Sequence, residues 1–182
     1  TARSYPVPDR QGARSVYVNG DGVIFTGSFE DFGFWMKDQS GVLSYTSLAG
    51  SADVAENDEI WNIFEIGRTL YFQSFTSVYV YDYNGVKRIP APSSMLFFFR
   101  SGERFIAQSI DEGLYWFDGT GFRFIPGSEI FATHKIHALI DLGQDEKWIC
   151  TANDGIFLFD GAKFTPVANE ISGYLKEATC NA

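Results

Sequence analysis

Positive charge is scarce in this chain: 14 Lys and Arg stand against 23 Asp and Glu, a formal net charge of −9. A nucleic-acid surface needs clustered cations to neutralise phosphates, so this balance argues against one, and against an anionic membrane surface too. There are two cysteines, Cys150 and Cys180, with no C-x-x-C spacing. They make no disulfide framework and are read as free thiols. Histidines also number two, His134 and His137. On an extended strand that spacing turns them to opposite faces, so no two-histidine metal site is expected, and no metal or other cofactor. The longest apolar run, residues 95–99, is strand length and far short of the ~20 residues that cross a bilayer, so no membrane contact is expected here. No signal-peptide pattern opens the chain, which starts at Thr1. It is therefore expected to be a piece of a longer protein. Helical periodicity is nearly absent, with at most a short turn at 173–178. No phosphate-binding glycine loop, calcium loop or nucleophile elbow is present.

What the chain has is aromatic residues: 18 Phe, 9 Tyr and 4 Trp. Aromatic side chains suit a pleated, half-buried surface, which favours an all-β domain. They fall in a repeat. Phe32-Gly33-Phe34-Trp35 precedes Asp38-Gln39-Ser40-Gly41, and Val78-Tyr79-Val80-Tyr81 precedes Asp82, Asn84 and Gly85. Gly113-Leu114-Tyr115-Trp116-Phe117 precedes Asp118-Gly119, and Gly155-Ile156-Phe157-Leu158-Phe159 precedes Asp160-Gly161. Asn-Gly and Asp-Gly after alternating apolar residues predict hairpins with type I′ turns. The glycines 41, 85, 119 and 161 are spaced by 44, 34 and 42 residues, a period of about 40.

Around each hairpin the other strands follow. A first strand is expected at 14–18, 60–64, 95–99 and 136–140. A second is expected at 23–27, 69–74, 104–109 and 147–152, and a last at 42–46, 86–90, 122–126 and 163–167. Four antiparallel strands at this period make a propeller blade. The expected fold is an all-β propeller fragment of about four four-stranded blades, part of a larger propeller. Its segments are 1–13 (end of a preceding blade), blades at 14–50, 57–92, 94–127 and 135–168, and 169–182 (start of the next blade). Asn169-Glu170-Ile171 echoes Ser128-Glu129-Ile130 as the link into a new blade. An arc of this kind leaves apolar inter-blade faces open, which makes a homodimer a candidate state.

The runs Gly113–Gly119 and Gly155–Gly161 resemble the GLYxxDG core of the two-component regulator propeller repeat. Residues 27–35, 41–48, 59–63 and 71–75 are similar to one branch of that family. Its members are bacterial receptors with a periplasmic propeller, a triple-tyrosine domain, a transmembrane helix and a cytoplasmic output. The output is either a LuxR-type helix-turn-helix or a histidine kinase module. The first blade departs from the pattern, with a Ser-Gly turn where the others have Asp-Gly or Asn-Gly. The resemblance implies a non-catalytic sensor in the periplasmic portion of an inner-membrane protein, with a glycan-derived or other small ligand.

Candidate site residues come from loop position. The loops between second and third strands lie on one rim of a propeller. They carry Glu30 and Asp31, then Phe75 and Thr76, then Asp111 and Glu112, then Asn153 and Asp154. Such a rim can attract a cation or hydrogen-bond a sugar, although Asp and Asn also serve turns. The four tryptophans, Trp35, Trp61, Trp116 and Trp148, are expected in inter-blade core rather than on a stacking surface. A glycosidase or lyase needs carboxylates beside the innermost strands. Only Glu59 and Asp141 come near, so no enzyme activity is expected. A protein-interaction scaffold stays open as the second reading.

Overall fold

The computed structural model describes Tyr5 and residues 12–143 and 145–177. The end of a preceding blade (1–13) and the next first strand near Cys180 lie mostly outside these residues. The chain divides into two compact units, Thr1–Ala91 and Pro92–Ala182.

Unit one holds two sheets. The first runs β1 (Ser15–Val18), β2 (Ile24–Gly27), β3 (Phe32–Lys37), β4 (Leu43–Ser47) in spatial order β1-β2-β3-β4. The second repeats the plan with β5 (Asn62–Ile66), β6 (Thr69–Gln73), β7 (Ser77–Tyr81) and β8 (Val86–Pro90). Unit two holds β9 (Met95–Ser101), β10 (Arg104–Ser109), β11 (Gly113–Phe117) and β12 (Phe122–Phe124) in one sheet. Its other sheet is β13 (Ile136–Gly143), β14 (Glu146–Thr151), β15 (Ile156–Phe159) and β16 (Phe164–Pro166). All pairings are antiparallel between consecutive strands. This up-and-down connectivity is that of a propeller blade, so the four-blade expectation is met.

A blade packed between neighbours must be apolar on both faces, and the second strands show it. In β6 Leu70 to Gln73 are all buried, and in β10 Phe105 to Ser109 are all buried. Within unit one the sheets meet through Phe32, whose ring lies 4.6 Å from Phe72 and 5.0 Å from Tyr79, with Phe25 and Leu70 fully enclosed alongside. Within unit two Ile106 and Leu114 of one sheet face Ile149 and Phe159 of the other. Phe131 fills the space below, edge-on to Phe157 and Phe164. Each fully buried ring of this kind contributes roughly 1.5–3 kcal/mol.

The expected strand 60–64 begins later, at Asn62. Ile60 is drawn toward the first sheet instead: its N–H donates to the Ser28 carbonyl and its own carbonyl accepts from the Ser15 hydroxyl. Glu59 pairs with Phe29 in an isolated antiparallel bridge. Ile60 is fully buried and stitches the two sheets together.

In unit two one lock closes both blades. The Ser128 hydroxyl accepts the Leu114 N–H at 2.9 Å, and the Ser172 hydroxyl accepts the Ile156 N–H at 3.0 Å. The residue before each donor is a glycine with positive φ, Gly113 at 131° and Gly155 at 80°. A Cβ on Gly113 would lie 2.7 Å from the Ser128 carbonyl oxygen, and one on Gly155 would strike Ser172. That is the physical reason for glycine at the head of both aromatic runs. It also corrects the expected echo: the counterpart of Ser128 is Ser172, not Asn169. Asn169 caps a helix, α1 (Glu170–Glu177), by accepting the Ser172 N–H at 2.7 Å. Where a short turn is expected at 173–178, residues 173–177 are the second half of a two-turn helix, stabilised by this cap and by Glu170 and Lys176 at its ends, and residue 178 lies outside the described residues.

The hairpin turns differ from type I′. After β7, β11 and β15 the loops are four residues, and only the second has positive φ: Tyr83, Gly119 and Gly161. The leading aspartate organises each loop with its side chain. Asp118 Oδ1 accepts from the Thr120 N–H, the Thr120 hydroxyl and the Gly121 N–H; Asp160 Oδ1 accepts from the Ala162 and Lys163 N–H groups. Asp82 does the same with Asn84 and Gly85, and Asp38 with Ser40 and Val42 in the longer first turn. These donors hold all four carboxyls below the ordinary aspartate range. The leading donors are the Ser40 hydroxyl at Asp38, the Asn84 N–H at Asp82, the Thr120 hydroxyl at Asp118 and the Lys163 N–H at Asp160.

Two outcomes follow. Gly113→Ala and Gly155→Ala each destabilise by at least about 1–3 kcal/mol, read from urea midpoints, because strain and collision add. A depressed carboxyl stabilises above its unfolded pKa of about 3.9 and loses that contribution as pH falls through the folded value. Melting temperature should therefore drop on acidification below about pH 4, and Asp118→Asn, which keeps the acceptor but not the charge, should flatten that drop.

Candidate functional site

In unit one, register brings particular loops to a common end. Asn62 pairs with Gln73 and Gln73 with Val78, while Ser15 pairs with Gly27 and Gly27 with Phe32. The starts of first strands and the loops between second and third strands therefore share one rim. There the Trp61 ring lies 5.3 Å from Phe75 at 62°, an edge-to-face pair. Arg14 places its guanidinium carbon 5.8 Å from the indole centre and its Nη2 3.2 Å from Glu59 Oε1. Trp61 is 38% exposed and Phe75 36%, so the pair presents apolar surface to solvent beside one cation and one anion. This corrects the inter-blade expectation for Trp61, which precedes β5 at the rim, its N–H donating to the Gln73 carbonyl while its side chain stays half exposed. Trp35 does lie in the interior, 8% exposed, its Nε1–H donating to the Thr26 hydroxyl.

Beneath this rim Asp58, 1% exposed, collects hydroxyls from the second sheet. Its Oδ2 accepts from Ser74 at 2.5 Å, Thr76 at 2.7 Å and Tyr79 at 3.3 Å, while Oδ1 is buried without a partner among the described residues. Burial, with the Asp58 charge as a lesser cause, raises the Tyr79 phenol above its ordinary range. The hub fixes the Ser74–Ser77 loop and thereby Phe75. Nothing in the local sequence signals it, since Asp58 sits in a polar link that reads as turn.

The six rim candidates fall into two groups. Three are engaged by their own unit. Asp31 accepts from the Ser47 hydroxyl at 2.6 Å and from Tyr45 at 3.0 Å. Glu112 accepts from Tyr115 at 2.8 Å and Ser109 at 3.3 Å. Glu30, with φ of 54°, accepts the Asn57 N–H at 2.5 Å. Burial first, then the hydrogen bond to Glu112, pushes the Tyr115 phenol up to about 12. The other three are Asp111, Asn153 and Asp154. Asp111 and Asn153 are exposed, with no side-chain partner among the described residues, and Asp154 lies 3.7 Å from His134 Nδ1. Glu30 and Asp31 thus stand in unit one and the other four candidates in unit two, each pair on its own loop.

Glu59 and Asp141, the two carboxylates considered for catalysis, each form an ion pair within their own unit: Glu59 with Arg14 and Asp141 with Lys147 at 3.8 Å. His137 lies on β13, its ring 6.1 Å from Phe97, and burial, then Lys135, lowers its pKa. Among the described residues no group of three His, Cys, Asp or Glu gathers as for a metal ion. Cys150 is a buried thiol on β14, and Cys180 lies outside the described residues.

No family model matches the chain and no curated protein matches it. Solved structures do. BamB from Moraxella catarrhalis is 10% identical, with a TM-score of 0.62 over 87% of this chain and 49% of its own. Virginiamycin B lyase from Staphylococcus aureus is 12% identical, with a TM-score of 0.62 over 91% of this chain and 59% of its own. The extracellular domain assigned to a hybrid two-component system of B. thetaiotaomicron is 12% identical, with a TM-score of 0.58 over 86% of this chain and 25% of its own. The chain thus spans about half the length of the first two and a quarter of the third. At this identity the likeness fixes the fold, a β-propeller, and one of the three proteins is named as an enzyme, so the fold does not by itself assign chemistry.

Removing the hub should be costly. Asp58→Ala is expected to destabilise by about 3 kcal/mol, since the buried Ser74 and Tyr79 hydroxyls and that of Thr76 lose an acceptor. Asp111→Asn and Asn153→Ala should stay within about 0.5 kcal/mol, as at other unpartnered surface sites. Urea unfolding of the three variants checks both statements.

Proposed function

We propose that this chain is a non-catalytic input segment of a periplasmic propeller in a bacterial transmembrane signalling receptor, with a glycan-derived ligand seated on the unit-one rim. The observation that carries the reading is the exposed Trp61–Phe75 pair flanked by Arg14 and Glu59. An indole face takes the C–H face of a sugar, and charged groups at its border take the hydroxyls. The Asp58 hub beneath holds the loop in place before a ligand arrives, which lowers the cost of binding. The repeat resemblance and the fold shared with a two-component extracellular domain support the signalling assignment. In unit two, Asp111, Asn153 and Asp154 stand as candidate contacts of that unit's own rim, while Asp31, Glu112 and Glu30 brace the loops. A ligand drives signalling only by binding one arrangement of the propeller better than another.

Calorimetric titration with neutral and acidic oligosaccharides tests this. Binding with the ligand recovered intact is expected, and Trp61→Ala should weaken it at least about tenfold, ~1.4 kcal/mol. Affinity untouched by Trp61→Ala, or cleavage of the sugar, refutes the proposal. Retention of a protein partner but of no sugar favours the scaffold reading.

A further inference from the structure

Unit two carries a cationic cleft that none of the preceding features uses. Register sets Trp116 of β11 between Ile106 of β10 and Arg123 of β12, and Arg104 lies two residues before Ile106 on the same face. Arg104, Trp116 and Arg123 therefore share one end of the sheet, where the turns after β9 and β11 lie. With Asp118 and Gly121 they line a cleft of about 150 Å³, roughly five water volumes. The Arg104 guanidinium lies over the indole, its carbon 4.2 Å from the ring centre. Lys147 approaches the same ring at 5.9 Å.

The charges here are not balanced. Lys147, whose side chain is only 3% exposed, has Asp141 at 3.8 Å and the Asp145 carbonyl at 3.3 Å. Arg104 and Arg123 have no ion pair or side-chain hydrogen bond among the described residues. The one carboxylate lining the cleft, Asp118, spends its Oδ1 on Thr120 and Gly121 and keeps its negative charge, so two guanidiniums stand there against one carboxylate. Two like charges lining one small cleft repel unless an anion lies between them. A guanidinium pair presents forked N–H donors that match a tetrahedral or planar oxyanion, and stacking on an indole fixes one fork in place. In a chain of net charge −9, a cleft lined by two guanidiniums against one carboxylate is a selective feature rather than a diffuse field.

We infer that the Arg104–Trp116–Arg123 cleft binds an oxyanion: sulfate, phosphate or a carboxylate. This site is independent of the sugar-binding reading and stands or falls separately. The test is titration of the full chain with sodium sulfate, phosphate and acetate at constant ionic strength set by chloride, following tryptophan emission and melting temperature. Saturable quenching is expected, with a rise in melting temperature, for at least one of the three anions. The strongest responder identifies the headgroup geometry. Arg123→Gln, at an exposed position of the end strand β12, should leave the circular dichroism spectrum unchanged and weaken the response about tenfold. Trp116→Phe should remove the fluorescence change while keeping the thermal shift. A response that does not saturate, is equal in Arg123→Gln, or is absent for all three anions overturns the inference.

Discussion

A blade cannot stand alone, and the rest of the structure follows from that. Four short strands make a sheet with two faces, and the second strands β6 and β10 are buried on both. One sheet buries the inner faces of Phe25 and Phe32 only by laying them on Phe72 and Tyr79 of the next. The aromatic surplus of the sequence is the consequence. Large flat rings fill a wide inter-sheet gap with few residues, and their tilted contacts add about 0.5–1.5 kcal/mol per pair beyond burial.

Stacking places demands on the links between blades. In unit one Ile60 turns back to the preceding sheet and Glu59 bridges to Phe29, so the entry to the second blade is fixed before its first strand begins. The same few residues carry the candidate site. Asp58 anchors the loop beneath, and Glu59 and Trp61 flank the stitch and face outward. In unit one the candidate site lies where the link surfaces, because the strands beneath it are committed to packing. In unit two the links do different work: a serine hydroxyl closes each third strand, and a glycine leaves room for it.

Much of this was legible in the sequence. Alternating aromatics ahead of Asp-Gly or Asn-Gly located the third strand of the last three blades, and the others followed from spacing. The turn type was not legible, because it depends on an aspartate side chain folding back on its own loop, not on backbone preference at Asp-Gly. Helix α1 was obscured by Gly173, which breaks the pattern, and by Ser172, whose burial depends on a glycine 17 residues earlier in the chain. The Asp58 hub needs hydroxyls from residues 74, 76 and 79, a gathering that only register creates. Trp61 read as core because it adjoins a strand; its exposure is set by where that strand starts. The two arginines of the unit-two cleft lie 19 residues apart and become neighbours through the pairing of three strands.

The claim on which all of this rests is that adjacent blades in unit one fold as one body through their shared aromatic face. A double-mutant cycle with Phe32→Leu and Phe72→Leu, read from urea unfolding, addresses it most directly. Coupling of about 0.5–1.5 kcal/mol in a single cooperative transition is the expected result. Losses that add independently, or two separate transitions within the unit, contradict it.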